Sequence, residues 1–172
     1  QQLVMLRQSV WEEACFSSVK WLEPQQLHIT LSLPGRLGTH FQKNDVNYIQ
    51  KTLTQILEKY EAFELEIGAL NVFENVIFAE CESPGETLQR LHDEICEAIP
   101  FQQHPVYRIE NFVAHISLGY GGQYIGDKPL ETLPRTFPPQ IGKVDQVLFG
   151  KVKDLPAYEK EVIRRFSLKN HA

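Results

Sequence analysis

The sequence has no excess of positive charge. Its 172 residues include 17 Lys and Arg against 22 Asp and Glu, which gives a formal net charge of −5. An extended contact with duplex nucleic acid needs a basic face, so this balance argues against such a partner. It is compatible with a small basic site that binds a nucleotide or an RNA end.

Long apolar runs and paired cysteines are also missing. No run approaches the roughly 18 apolar residues of a membrane-spanning helix, so we expect no membrane partner. Cys15, Cys81 and Cys96 are odd in number and form no CxxC pair, which predicts free, mostly buried thiols in a reducing compartment. These features together indicate a cytoplasmic protein.

Motifs for the common cofactors are absent. The sequence contains no HExxH or CxxC zinc signature, no GxxxxGK[ST] or GxGxxG phosphate loop, and no GxSxG nucleophile elbow. It therefore predicts no cofactor and no metal, and it gives little support to ATP binding, NAD binding or a serine hydrolase.

The chain is predicted to form one domain over residues 1–172, because no low-complexity linker divides it. Hydrophobic periodicity predicts helices over 3–18, 45–60 and 84–98. Asn44 or Asp45 would cap the second helix, and a Ser83–Glu86 capping box would open the third. Alternating and apolar runs predict strands over 19–22, 27–33, 63–73, 76–81, 112–120, 144–152 and 162–168. This mixed order predicts an α+β fold.

A repeated tetrad carries the clearest chemical signal. His28-Ile29-Thr30-Leu31 recurs as His115-Ile116-Ser117-Leu118, and each copy lies on a predicted strand. Side chains two residues apart on a strand share a face, so each histidine would project together with its hydroxyl. The apolar residues between them would point into the core.

Two such pairs suit phosphoryl transfer. One neutral imidazole can accept a proton while a protonated one donates to the leaving oxygen, because the histidine pKa lies near neutrality. The hydroxyls can hydrogen-bond the non-bridging phosphate oxygens, and an acid and a base on opposite sides permit in-line displacement. A single histidine on a strand is more often a surface residue, but the duplication with the hydroxyl favours the catalytic interpretation.

The two motifs resemble those of the 2H phosphoesterases. The segment Trp21–Leu31 is similar to the first motif of the 2'-5' RNA ligase and cyclic phosphodiesterase branches, and Asn111–Tyr120 is similar to the second. The resemblance implies a bilobal α+β fold, with two mainly antiparallel sheets flanking a central groove, helices outside and pseudo-twofold halves. It also implies a first strand upstream of Gln1 and no metal requirement.

The resemblance assigns roles to individual residues. His28 and His115 match the catalytic pair, and Thr30 and Ser117 match the phosphate-binding hydroxyls. Tyr120 stands where the RNA-ligase-like branch often carries Arg. An aromatic residue there is closer to the cyclic phosphodiesterase pattern, and it could stack on a base or bond a phosphate oxygen.

Other candidates have no motif behind them. Arg36 could neutralise phosphate or be a solvated loop charge, and Phe73 could form a base-stacking wall or pack in the core. Arg108 and Lys151 are candidate cations at the edge of the groove. The remaining histidines lack a hydroxyl partner and are predicted to lie on the surface: His40, His92, His104 and His171.

The leading hypothesis is a metal-independent phosphodiesterase that hydrolyses 2',3'-cyclic phosphates of nucleotides or RNA ends, with His28 and His115 as acid and base. Within the family, the alternatives are a 3'-end RNA exonuclease and a 2'-5' phosphodiesterase or RNA ligase. A non-catalytic nucleotide- or RNA-binding module is the alternative from another class. The expected partner is a small nucleotide or an RNA end, bound by a monomer.

Overall fold

The computed structural model describes residues 19–35, 38–73, 75–99, 101, 108–121, 140–152 and 160–170. They divide into two compact units. The first unit comprises Gln1–Ile29, Glu66–Glu82 and His115–Ile141, and the second comprises Thr30–Leu65, Ser83–Ala114 and Gly142–Ala172. The helix predicted over 3–18 lies outside the described residues, as do Cys15, Arg36, His104 and His171.

The chain mixes helices with runs of consecutive antiparallel strands, which confirms the predicted α+β class. In order, the elements are β1 (Val19–Trp21), α1 (Lys43–Leu57), β2 (Phe63–Phe73), β3 (Val76–Glu82), α2 (Thr87–Ala98), β4 (His115–Gly121), β5 (Gln140–Val144), β6 (Gln146–Val152) and β7 (Lys160–Ser167). Short 3-10 helices cover Pro24–Gln26, Pro84–Glu86 and Ile109–Asn111. Within the described ranges, neither α1 nor α2 is long and apolar enough to cross a membrane.

A five-stranded sheet has the strand order β1-β4-β3-β2-β5, and its strands β1, β3 and β4 lie wholly in the first unit. Strand β4 pairs antiparallel with β1 on one edge and with β3 on the other, and β3 pairs antiparallel with β2. One face of this sheet is apolar and buried, as period-2 alternation requires. Its buried members are Val19, Trp21, Ile67, Leu70, Ile77, Ala79, Cys81 and Ile116. Cys81 and Cys96 are thiols rather than halves of a disulfide, and both are buried, as predicted. Burial raises the pKa of Cys81 to about 12.

The second unit is built around one helix pair and the two-stranded β6–β7 sheet. The apolar stripe of α1 packs with that of α2 and with the last residues of β7. The cluster contains Ile49, Leu53, Ile56, Leu57, Ala62, Leu91, Ile95, Ile99, Phe166 and Leu168. Burying each of the larger side chains in this cluster contributes about 1.5–3 kcal/mol to the stability of the unit.

The predicted strand over 27–33 is wrong, since only Ile29 makes a β-bridge there, to Ile116. Strand β4 has little edge left to pair with. Residues Gly119–Gly121 pair with β1, and the Leu22 amide donates to the Leu118 carbonyl at 2.8 Å. Only the beginning of β4 remains for the segment around Ile29, so the ladder is one bridge long.

Two helix starts also differ from their predictions. Helix α1 begins at Lys43 and is capped by Gln42. The backbone amide of Gln42 donates a hydrogen bond to the Asp45 carboxylate at 2.6 Å. The Ser83–Glu86 capping box does not form, because Gly85 and Glu86 both have positive φ and interrupt the helix. The Ser83 hydroxyl instead accepts a hydrogen bond from the Leu88 amide at 2.7 Å.

His92 is not a surface residue, and this prediction is wrong. Its side chain is 0% exposed, because position 92 lies on the inward face of α2 together with Leu88 and Cys96. The imidazole packs against the Phe112 ring with centroids 3.7 Å apart. Burial lowers the pKa of His92 below its usual 6.5, and the adjacent Asp93 carboxylate opposes that shift. The exposed position predicted for His40 is confirmed.

Buried, neutral His92 makes stability depend on pH. Its pKa is lower in the folded than in the unfolded state, so the unfolded chain binds more protons as the pH falls below about 6.5. We therefore expect the free energy of unfolding to decrease from pH 7 to pH 5, and this decrease to be smaller in His92→Leu. Urea unfolding at several pH values measures the difference. The matched control His40→Gln removes an exposed histidine, and an equal change in both variants would contradict the prediction.

Candidate active site

Within the first unit, the Ile29–Ile116 bridge brings His28 and Ile29, the first two residues of one motif, next to the other motif. Ile29 and Ile116 pair antiparallel, each in the second position of its tetrad. The residues next to a bridged pair project to the opposite face of the strands from the pair itself. His28 therefore lies on the same face as His115 and Ser117, with the isoleucines on the other face.

A β-bulge in β4 adds Tyr120 to this face. Two steps along β4 match one step along β3 at this point, so β4 contains one extra residue. The cross-strand partners are Phe78 with Ser117, Ile77 with Gly119, and Val76 with Tyr120. Simple alternation would place Tyr120 opposite to His115, whereas the bulge reverses the parity. The burial pattern agrees, because only Ser117 and Tyr120 are partly exposed in β4.

Two phenylalanines hold the His115 ring. Phe73 and Phe78 stack with centroids 4.0 Å apart and an interplanar angle of 15°. The His115 ring meets them edge-on, at 5.3 Å from Phe73 and 5.2 Å from Phe78, a geometry that aromatic rings prefer. His115 is only 8% exposed. The position of Phe73 favours the packing interpretation, with a phenylalanine supporting the histidine rather than an open base-stacking wall.

His28 is oriented by the backbone of the short helix before it. Its Nδ1 lies 2.6 Å from the Gln26 carbonyl oxygen. A carbonyl only accepts, so Nδ1 must carry the proton, and in the neutral ring the lone pair is on Nε2. Gln26 is itself held by a hydrogen bond from the Glu23 amide to its Oε1 at 2.7 Å. In this tautomer Nε2 carries the lone pair that can accept a proton.

For three other residues singled out in the sequence, the structure gives the burial or a contact but no position on the histidine face. Thr30 is partly buried and is the first residue of the second unit. Arg108 is exposed, and the Lys151 ammonium lies 3.5 Å from the Glu161 carboxylate. Across the described ranges, no group of three or more His, Cys, Asp and Glu side chains could hold a metal ion.

Sequence reasoning missed two residues of the His115 face. Phe78 is a buried aromatic in an apolar strand, and nothing in its pattern indicates that it contacts a histidine. Lys20 is exposed and pairs with Tyr120 across β1 and β4. No motif contains either residue, because their placement on this face arises from the strand order and from the bulge.

The comparisons with known proteins identify the family of the chain. The model of the 2'-5' RNA ligase superfamily matches residues 6–152. The chain belongs to this superfamily. The match includes both tetrads, and it confirms the resemblance on which the motif assignment depends.

Solved structures show the same fold. TT0787 of Thermus thermophilus is 18% identical with a TM-score of 0.63, covering 99% of this chain and 93% of that one. LigT of E. coli complexed with phosphate is 12% identical with a TM-score of 0.65, covering 98% and 89%. A structure described as a phosphoesterase is 14% identical with a TM-score of 0.64, covering 98% and 90%. These likenesses confirm the expected 2H-type α+β fold for this superfamily member.

The bulge that positions Tyr120 depends on close packing at Gly119. A Cβ there would lie 2.7 Å from Val19 Cγ1 and 2.9 Å from Trp21 Cε3, so β1 would have to move. We expect Gly119→Ala to lower the free energy of unfolding by about 1–3 kcal/mol, measured by urea unfolding. Gly68→Ala is the control, because a Cβ at Gly68 meets nothing within 4 Å. Equal stability of the two variants would contradict this account of β4.

Proposed function

We propose that the protein is a phosphodiesterase that hydrolyses 2',3'-cyclic phosphates of nucleotides or RNA ends without a metal. The observation that carries the proposal is the Ile29–Ile116 bridge, because it puts His28, His115 and Ser117 on one face. The membership of the chain in the 2'-5' RNA ligase superfamily supports a phosphoester substrate. LigT, which shares the fold, has been crystallised with 3'-AMP, a compound of the class that this hydrolysis would produce.

The proposed reaction is a direct displacement at phosphorus. One histidine is uncharged and has its lone pair on Nε2. This nitrogen accepts a proton from water as the water oxygen forms a bond to phosphorus. The bond from phosphorus to one ribose oxygen breaks, and the second histidine, protonated, donates its proton to that oxygen. The product is a 2'- or 3'-monophosphate, and the pair has exchanged protonation states.

The surrounding groups have distinct roles in this proposal. The Ser117 hydroxyl, with that of Thr30, would donate hydrogen bonds to the non-bridging oxygens, where negative charge increases in the transition state. Tyr120 would stack on the base or bond a phosphate oxygen. Phe73 and Phe78 act as positioning residues, since they hold the His115 ring at a fixed angle.

Other substrates are possible for the same two histidines, and the family name favours a 2'-5' junction among them. A 2'-5' phosphodiesterase or RNA ligase would use the same two histidines on a 2'-5' junction, and a 3'-end exonuclease would use them on a longer RNA. These candidates differ from the first in the substrate and not in the acid–base pair, so a substrate panel distinguishes them.

The test is a substrate panel in EDTA with resolution of the product isomers. The four nucleoside 2',3'-cyclic phosphates, a 2'-5' dinucleotide and a 3'-end RNA are each incubated with the protein. We expect turnover of the cyclic phosphates, and His28→Ala and His115→Ala to lower kcat by at least about 10²-fold each. The identity of the isomer then shows which ribose oxygen leaves.

Matched controls separate catalysis from folding. His40→Ala removes an exposed histidine and is expected to retain full turnover. Circular dichroism and urea unfolding establish that the two motif variants still fold. Wild-type turnover in His28→Ala would rule out the two-histidine mechanism. The absence of turnover on every substrate would instead favour the binding module.

A further inference from the structure

The second unit contains a polar groove between α1 and β7. Its volume is about 500 Å³. All the side chains that line it are polar or positively charged: Asn47, Gln50, Lys51, Thr54, Gln55 and Arg164. No histidine motif residue belongs to this set, so the groove is separate from the chemistry proposed above.

Helical and strand periodicity explain why these side chains share one groove. The five α1 residues recur at spacings of three and four, on a stripe beside the buried one that contains Ile49, Leu53 and Ile56. In β7, Arg164 and Phe166 lie on the face that carries the apolar core, and Arg165 lies on the opposite face. The Arg164 guanidinium carbon is 4.7 Å from the centre of the Phe166 ring, which restricts the orientation of the guanidinium.

The two cations of the groove have no acidic partner among the described residues. Neither Lys51 nor Arg164 forms an ion pair there, whereas Lys59 pairs with Glu94 and Lys151 pairs with Glu161. None of the six lining residues is acidic. In a chain with a net charge of −5, this groove therefore concentrates positive charge next to amide donors.

We propose that this groove binds the phosphodiester backbone of single-stranded RNA. A guanidinium presents paired donors that fit phosphate oxygens, and an ammonium adds a point charge for a neighbouring phosphate. The Asn and Gln amides can bond sugar hydroxyls and base edges. The lining has no apolar or aromatic side chain of the kind that anchors a protein partner, and for this reason we favour RNA over an acidic peptide.

The test is a binding titration with a matched pair of arginines. A fluorescein-labelled oligouridylate about ten nucleotides long is titrated at several salt concentrations, with fluorescence anisotropy as the readout. Every protein carries His28→Ala, so the result does not depend on turnover. Arg164→Gln and Arg165→Gln remove the same charge from neighbouring residues on opposite faces of β7.

We expect Arg164→Gln to weaken binding about tenfold and to reduce the salt slope of log K by about 0.7, the contribution of one phosphate contact on a single strand. Arg165→Gln should leave both values unchanged. Lys51→Gln should behave like Arg164→Gln, and it tests the groove without altering the contact between Arg164 and Phe166. Thermal unfolding checks that every variant is folded.

Three results would overturn the proposal. One is the absence of RNA binding, and another is an equal loss in Arg164→Gln and Arg165→Gln, which would indicate only general attraction. The third is tighter binding of an oligoglutamate peptide with the same dependence on Arg164, which would assign the groove to an acidic protein segment. Because none of these measurements involves hydrolysis, they are independent of whether the proposed phosphodiesterase activity is found.

Discussion

The edge of β4 is the constraint on which the candidate site depends. Seven residues of β4 have to pair with β3 on one side and with two separate segments on the other. Strand β1 occupies the end near Gly119–Gly121, and the Leu22–Leu118 hydrogen bond extends that contact. Ile29 pairs with Ile116, near the beginning of β4, where this edge is not occupied by β1 or Leu22. A single bridge is enough, because its geometry determines the face on which His28 lies.

The same crowding explains why the site contains groups of very different burial. The bulge in β4 lets Leu118 and Gly119 both lie on the apolar side, and Ser117 and Tyr120 lie on the other. Val19 and Trp21 pack so closely against position 119 that only glycine fits there without a shift of β1. His115 lies deeper, against Phe73 and Phe78. His115 is thus held in a rigid aromatic setting, next to the partly exposed Ser117 and Tyr120, and this setting suits the acid–base role that we propose for it.

Charge is distributed unevenly in the second unit, between an uncharged core and a groove that contains two cations. His92 occupies a core position of α2, where burial keeps it neutral near pH 7. In the polar groove, by contrast, Lys51 of α1 and Arg164 of β7 have no carboxylate partner in the part of the chain that the structure describes. The net charge of the chain conceals this local feature, since an average over the whole sequence carries no information about which charges are neighbours.

The sequence by itself determined the α+β class, most strand positions and the two histidine motifs. These follow from local periodicity and from a repeated pattern of residue types, both of which are properties of neighbouring residues. Only the tertiary structure decided that 27–33 forms one bridge, that His92 is buried, and that Phe78 supports His115. Tyr120 joins the histidine face for the same kind of reason. Strand pairing, bulges and edge competition depend on contacts between residues far apart in the chain, and no local pattern encodes them.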